Sequence, residues 1–328
     1  MTKIKFSIII PLKEFNDYLE ESIPKILDLD YRDFEIIILP NEKPAKIPNY
    51  LKNKRIKIIS TSKVSPAIKR DIGVKNAKGE YIAFLDDDAY PEKNWLKKAE
   101  KTFLEKKVVA VGGPAITPEN DSISQKASGL FFETLFGSGG LSFRYKPDKK
   151  SFYVDDFPTV NLFVSKKVFL EVGGFGSEFW PGEDTKFCRE LIKKGYKIWY
   201  SNEIIVYHHR RKLFKQHLKQ IANYGKHRGY FAKKFPENSR KLTYFIPSLF
   251  FIGNIILLIL SLINRIFLGL WIFLLVIYFS LITIDVFVRT LNLKKGFLTI
   301  ITIFLSHLIY GEKFIEGVLS NDLRSELR

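Results

Sequence analysis

The sequence predicts an α/β domain with a mostly parallel sheet flanked by helices, followed by C-terminal transmembrane helices. Three observations predict it. From residue 6 to residue 111, short apolar runs bounded by Pro or Gly alternate with stretches of helical spacing. These runs are apolar on both faces, as strands are when helices cover a sheet on either side. From Phe245 to Leu319 the chain is dominated by Ile, Leu, Phe and Val, whereas the part before Lys241 reads as a soluble protein.

Residues 6–10 form a strand closed by Pro11. Residues 17–27 have helical spacing at Tyr18, Leu19, Ile23, Ile26 and Leu27. A strand at 34–39 ends at Pro40, and another spans 56–59. Ser65-Pro66 opens a helix to about Ala77 with Pro at its first position, and Gly79 stops it. Residues 81–85 are a buried strand. Pro91 starts the next helix, through Trp95, Leu96 and Phe103, and a strand at 108–111 ends in Gly112-Gly113. From 114 to 156 the pattern is lost among Gly129, Gly137, Gly139, Gly140 and the basic run Phe143-Arg144-Tyr145-Lys146. A loop of that length is functional or disordered. Regularity returns with a strand at 159–165, a turn at Gly173-Gly174-Phe175, a helix at 183–194 stopped by Gly195, and strands at 196–200 and 204–207.

The tail divides into spans. Residues 242–263 are 22 without a charge, and residues 267–284 are another 18. Both are long enough to cross a bilayer, and Asn264-Arg265 joins them as a hairpin. Residues 297–310 give only 14 apolar positions before Glu312 and Lys313. They are either part of a longer span or a re-entrant or interfacial segment. The expected organisation is a catalytic domain over 1–210, a basic interfacial segment over 211–241, a membrane region over 242–319 and a polar tail over 320–328.

The formal net charge is +17, which calls for an anionic partner. Its distribution favours an anionic membrane surface over nucleic acid. Between Arg210 and Lys241 there are eleven Lys or Arg and one acid, Glu237, immediately before the apolar region. No zinc-ligand set or RNP-type aromatic motif supports nucleic-acid binding. Cys188 is the only cysteine, which excludes an intrachain disulfide and fits a reducing compartment. The first residues enter a strand with too short an apolar stretch for a signal peptide. The expected placement is therefore a multi-pass membrane protein with its first domain in the cytoplasm, and Arg289, Lys294 and Lys295 after the second span agree with that side.

Asp86-Asp87-Asp88 follows the strand Tyr81-Ile82-Ala83-Phe84-Leu85. Three adjacent acids repel one another unless water or a cation compensates them. Ligands bind at the carboxyl ends of strands in open α/β sheets. Hard oxygen ligands there suit Mg²⁺ or Mn²⁺ shared with a diphosphate; a solvated acidic turn is the alternative.

The segment from Lys69 to Asp88, with the opening strand Phe6-Ser7-Ile8-Ile9-Ile10-Pro11, resembles the nucleotide-sugar core of family 2 glycosyltransferases with the GT-A fold. The resemblance covers about residues 4–210. It implies that Asp86 approaches the ribose, that Asp86 and Asp88 hold the metal with Asp88 as principal ligand, and that Asp87 shapes the turn. It places Arg70 against the base or diphosphate, and Pro11 at the donor site. Family members usually carry Asp residues and a Gly-Ser turn after the second strand. This chain has Pro40-Asn41-Glu42 instead. Asn41 can bond a base edge and Glu42 an N–H or a ribose hydroxyl, but the identity of the base is left open.

Gly173-Gly174-Phe175, followed by Gly182-Glu183-Asp184, is similar to the family's acceptor-side signature. It implies Glu183 at the bound donor and Asp184 as the base that takes the acceptor hydroxyl proton. In Tyr207-His208-His209-Arg210, one histidine completes the metal or diphosphate site, with His208 the better match and His209 still open. Asn161 resembles a position lining the donor or acceptor pocket. Arg144 and Lys146 are candidates for the acceptor's phosphate. Residues 212–235 read as a basic amphipathic stretch on the membrane, with Gly225 and Gly229 arguing against a single helix. Gln216 and Gln220 lack the Arg-Trp that processive synthases show, so transfer of one sugar from a nucleotide diphosphate sugar to a lipid-linked acceptor is favoured over polymer synthesis. A membrane-tethered nucleotide-sugar-binding protein without turnover is the other rival.

Overall fold

Phe6–Pro11, buried throughout, form β1 of the computed structural model, which describes residues 5–176 and 179–323. The expected polar tail lies outside the described residues from position 324 on. Helix α1 (Asp17–Leu27) starts at Asn16, whose side chain accepts from the N–H of Leu19. Strands β2 (Phe34–Leu39) and β3 (Ile56–Ile58) precede α2 (Pro66–Asn76), which Ser65 caps. After β4 (Tyr81–Leu85) comes a correction. Pro91 does not start a helix but ends the short strand β5 (Ala89–Pro91), and α3 (Trp95–Lys106) begins after Asn94. Strands β6 (Ala110–Gly112) and β7 (Ala115–Ile116) follow.

The expected loop over 114–156 is corrected as well. It contains α4 (Ile123–Glu133) and α5 (Leu135–Ser138). Ser122 and Gln125 form a capping box that starts α4, a spacing visible in the sequence. The remaining elements are β8 (Phe152–Val154), β9 (Asn161–Ser165), α6 (Lys166–Glu171), α7 (Glu183–Lys193), β10 (Ile198–Tyr200) and β11 (Val206–His208). Helices α8 (Lys215–Lys234), α9 (Pro236–Ser239), α10 (Leu242–Ile263), α11 (Arg265–Phe287) and α12 (Leu293–Leu319) complete the chain.

The described residues group into two units. One holds residues 5–116 and 146–209, the other 117–145 and 210–323. Residues 117–145 thus leave the contiguous segment 1–210 and join the apolar helices.

The first unit is built on an eight-stranded sheet in the order β3-β2-β1-β4-β9-β6-β10-β8. Its β3-β2-β1-β4 half is parallel, as is β6 with β10. Strand β9 runs antiparallel to both β4 and β6, and β8 antiparallel to β10, so the sheet is mixed. Ile8, Ile36, Ala83, Leu85, Trp95 and Phe163 are among the buried side chains of its core. A second sheet, β5-β11-β7, matters for the site. Its register sets His208 opposite Ala89, one residue beyond the aspartate run.

In the second unit, α10, α11 and α12 have 22, 23 and 27 residues with mean hydropathy 2.5, 2.5 and 1.4. All three are long and apolar enough to cross a membrane. The short third apolar run is thus part of a full-length helix. Helix α8 is continuous, which corrects the expected break at its glycines. A β carbon on Gly229 would lie 2.0 Å from the carbonyl oxygen of Phe314, and one on Gly317 1.9 Å from that of Lys226. These glycines let the backbones of α8 and α12 touch, as small residues do between membrane helices.

Candidate active site

Each acid of the run at the end of β4 has a different partner. Arg70 Nη2 donates to Asp86 Oδ1 at 2.8 Å, and Asn16 Nδ2 donates to Asp87 Oδ2 at 2.6 Å. His208 Nε2 lies 3.1 Å from Asp88 Oδ1. The three carboxylates are thus turned toward α2, α1 and β11, which relieves their mutual repulsion. It is not fully relieved at Asp87. Burial, together with Asp88 and Asp86, pushes its pKa up to about 7 against the bond from Asn16.

Asp86, Asp88 and His208 each offer a ligand atom, all within 4.8 Å of one another. Strand pleating separates the two histidines. His208 faces Asp88, whereas His209 stacks on Tyr18 at 4.5 Å and meets Glu21 at 3.1 Å. The backbone N–H of His209 donates to the carbonyl of Asp88 at 3.0 Å and ties β11 to the run. Two carboxylate oxygens and an imidazole nitrogen at this spacing fit a divalent cation that keeps other positions for water or phosphate.

Arg70 joins this run to the start of α7. Its side chain is 5% exposed, and its Nη1 donates to Glu183 Oε1 at 2.8 Å. Burial pushes the pKa of Glu183 up to about 7 although Arg70 opposes it, and Asp184 adds to the rise. The Nε of Arg70 is buried and bonds no atom among the described residues. Asp184 sits half-buried in the first turn of α7, with Oδ1 accepting from the N–H of Thr185 at 2.8 Å. Before α7, Asp71 accepts from the N–H groups of Phe175 and Gly176 at 2.9 and 3.1 Å. It pins a turn in which Gly173 and Gly174 have φ of 88° and 67°, values open to glycine at little cost.

Other expected site residues stand at or just past the ends of β1, β2 and β9. Pro11 is buried at the end of β1, paired with Leu39. Asn41 Oδ1 accepts from Lys69 Nζ at 2.7 Å, and Glu42 is exposed. Asn161 is fully buried, accepts from Trp95 Nε1 at 2.9 Å, and donates to the carbonyls of Pro114 and Ile204. Its amide locks β9 into the fold. Sequence reasoning missed Asn16, Lys69 and Asp71. Lys69 is buried and also donates to the carbonyls of Leu12 and Leu39, joining the ends of β1 and β2. Burial pulls its pKa down to about 8. Only Asn16 left a local signal, as the capping residue of α1.

Residues 7–169 match the model of glycosyl transferase family 2. The matched span runs from β1 into α6 and takes in the aspartate run. The fold of the chain is GT-A-like, similar to that of the mannosyltransferase PcManGT from Pyrobaculum calidifontis, solved in complex with GDP-Man and Mn²⁺. That likeness has a TM-score of 0.56 at 14% identity and covers 97% of this chain and 88% of that one. Among curated relatives is a dolichyl N-acetyl-α-D-glucosaminyl phosphate 3-β-D-2,3-diacetamido-2,3-dideoxy-β-D-glucuronosyltransferase of Methanococcus voltae. It is 26% identical over 96% of this chain and 98% of its own length. Another is a GalNAc(5)-diNAcBac-PP-undecaprenol β-1,3-glucosyltransferase of Campylobacter jejuni, 27% identical over 59% of this chain and 62% of its own. Both of these relatives are, by name, transferases acting on lipid-linked sugars.

Proposed function

We propose that this protein is a glycosyltransferase that moves one sugar from a nucleotide diphosphate sugar to a lipid-linked saccharide, with inversion at the anomeric carbon. The observation that carries the reading is the constellation of Asp86, Asp88 and His208 beside Arg70 and α7. A Mg²⁺ or Mn²⁺ ion held by Asp86, Asp88 and His208 would neutralise charge on the leaving diphosphate. Arg70 orients Asp86 and offers its remaining Nε–H to a donor oxygen. Asp184 takes the proton of the acceptor hydroxyl as that oxygen attacks the anomeric carbon and the sugar–phosphate bond breaks on the opposite face. Two relatives named for 3-linked transfer onto dolichyl- or undecaprenyl-borne sugars support a hydroxyl nucleophile, which needs such a base. The apolar helices on the same chain keep the enzyme at a bilayer, where an acceptor of this kind resides.

The test uses full-length enzyme in nanodiscs with UDP-, GDP- and dTDP-sugars and a lipid-linked saccharide extract, and product analysis by mass spectrometry. A product heavier by one sugar, absent after chelation of divalent cations, is expected. Asp184→Asn should lower kcat about 10²- to 10⁴-fold with little change in donor binding. A ladder of products, full activity in chelator, or an active Asp184→Asn enzyme would each overturn the corresponding part.

A further inference from the structure

Helices α10 and α11 pair antiparallel. Asn254 Oδ1 accepts from Trp271 Nε1 at 2.9 Å, and Phe250 stacks on Tyr278 at 4.5 Å. The start of α10 is therefore level with the end of α11, and Asn264 marks the tip of the hairpin. The buried residues of the two helices are Tyr244, Ser248, Ile282 and Val286, all toward the open end. None of residues 249–281 is buried. Apolar surface of that extent marks a membrane contact. The tip half of the hairpin thus has no third helix covering it among the described residues.

Helix α12 packs on the open end. A β carbon on Gly296 would lie 2.7 Å from the ring of Phe287, the last residue of α11. Further along, Phe314 meets Phe245 in the first turn of α10, with ring centres 4.9 Å apart. Between these points His307 Nδ1 lies 2.9 Å from the Tyr278 hydroxyl, and Ser248 Oγ donates to the carbonyl of Gly311 at 3.3 Å. Depth along the hairpin decides how α12 runs. At about 1.5 Å of rise per residue, Phe287 and Phe245 differ in depth by only about 5 Å. The ends of a helix that crosses a bilayer differ by about 30 Å. Helix α12 therefore returns to the level from which it starts, and lies across the hairpin instead of along it.

Charge agrees with this geometry. The uncharged part of α12 covers residues 296–311, about 24 Å of helix against about 30 Å of hydrocarbon. Lys294 and Lys295 precede it, and Glu312, Lys313 and Glu316 follow. Helix α8 packs along the second half of α12. His217 Nε2 lies 3.3 Å from Ser306 Oγ, a β carbon on Gly225 would lie 2.7 Å from the Tyr310 carbonyl oxygen, and Lys233 Nζ donates to the carbonyl of Ser320 at 2.6 Å. Lys226 pairs with Glu316 at 2.7 Å. Helix α8 carries six Lys or Arg. A crossing α12 would draw these cations into hydrocarbon, where charge is expelled. At the surface the same pair sets its cations among headgroups.

We propose that α10 and α11 alone cross the bilayer, and that α12 lies in the headgroup–acyl boundary of the near leaflet. The end of α12 then stays on the face of the membrane that holds α8. This arrangement is independent of the sugar-transfer chemistry.

The test is labelling of single introduced cysteines with a membrane-impermeant maleimide, in sealed vesicles of known orientation that hold the full chain. Cys188, the only native cysteine, is fully buried, so the unsubstituted chain supplies the background. Glu237→Cys precedes α10, Asn264→Cys sits at the hairpin tip, and Lys294→Cys and Asn321→Cys bracket α12; all four positions are exposed. Glu237→Cys, Lys294→Cys and Asn321→Cys should react from one face of the membrane, and Asn264→Cys only from the other. Asn321→Cys failing to react from the face of Glu237→Cys would overturn the surface placement of α12. Asn264→Cys failing to react from the opposite face would overturn the crossing by the hairpin. Should Asn321→Cys not accumulate, Asp322→Cys, also exposed, takes its place with the same expected face.

Discussion

Glu183→Gln should remove a pH dependence from the stability of the catalytic unit. Glu183 is 5% exposed and faces Arg70 Nη1 at 2.8 Å. Burial raises its pKa from 4.5 to about 7, so desolvation outweighs the guanidinium. A carboxyl whose pKa is higher folded than unfolded holds its proton more tightly in the folded state. The stabilisation from that proton is complete below about pH 4.5 and is lost as pH rises through about 7. At about 1.4 kcal/mol per pH unit, this amounts to about 3 kcal/mol. Gln is isosteric and neutral, and its amide oxygen still accepts from Arg70. The variant should therefore gain on wild type as pH rises, by roughly 6 to 12 °C in Tm for a domain of this size. Thermal unfolding of the full chain in detergent, followed by tryptophan fluorescence, reads this through buried Trp95. A Tm difference that stays constant between about pH 5 and about pH 8 would refute the reasoning, because Glu183 would then be ionised throughout and the ion pair would outweigh burial.

Two further substitutions test the packing that supports the sites. Gly229→Leu would drive a side chain into the Phe314 carbonyl 2.0 Å away and should cost at least about 1–3 kcal/mol. Gly253→Ala meets nothing within 4 Å in the middle of α10 and should be neutral or stabilising by up to about 1 kcal/mol. Equal Tm shifts in detergent for the two would contradict close packing of α8 on α12. Asn16→Ala removes both the α1 cap and the bond to Asp87, at a cost of about 1–2 kcal/mol. Asn16→Asp keeps a capping oxygen but sets a fourth carboxylate against the run, so it should weaken nucleotide-sugar binding more than Ala does, as titration of the donor would show.

The parallel half of the sheet was legible because its signals are local. Strands β1, β2 and β4 are apolar on both faces and end at Pro11, Pro40 and the aspartates, and α2 announces itself with Ser65-Pro66. Residues whose surroundings come from distant chain were not legible. Asn161 looks like any strand-edge Asn until Trp95, Pro114 and Ile204 close around its amide. Gly225 and Gly229 argue against a helix by propensity, but contact with α12 overrides a penalty of about 1 kcal/mol per glycine. Helix α4 has a readable capping box, but its burial depends on partners such as Thr299, which donates to the carbonyl of Ala127.

The aspartate run shows where the boundary between the two kinds of information falls. Its position at a strand end and its need for compensation can be read from eight consecutive residues, Tyr81 to Asp88. The division of labour among the three acids cannot, because Asn16, Arg70 and His208 arrive from three separate elements. The adjacent pair His208-His209 makes the point most sharply. Sequence offers two adjacent imidazoles and only favours His208, whereas the structure turns His208 alone toward Asp88. The choice is made by the register of β11 on β5, which pairs His208 with Ala89. A slip of one residue would present His209 to the aspartates and turn His208 toward Glu21. The short antiparallel pair β5–β11 is therefore as much a part of the candidate metal site as the side chains that would coordinate the ion.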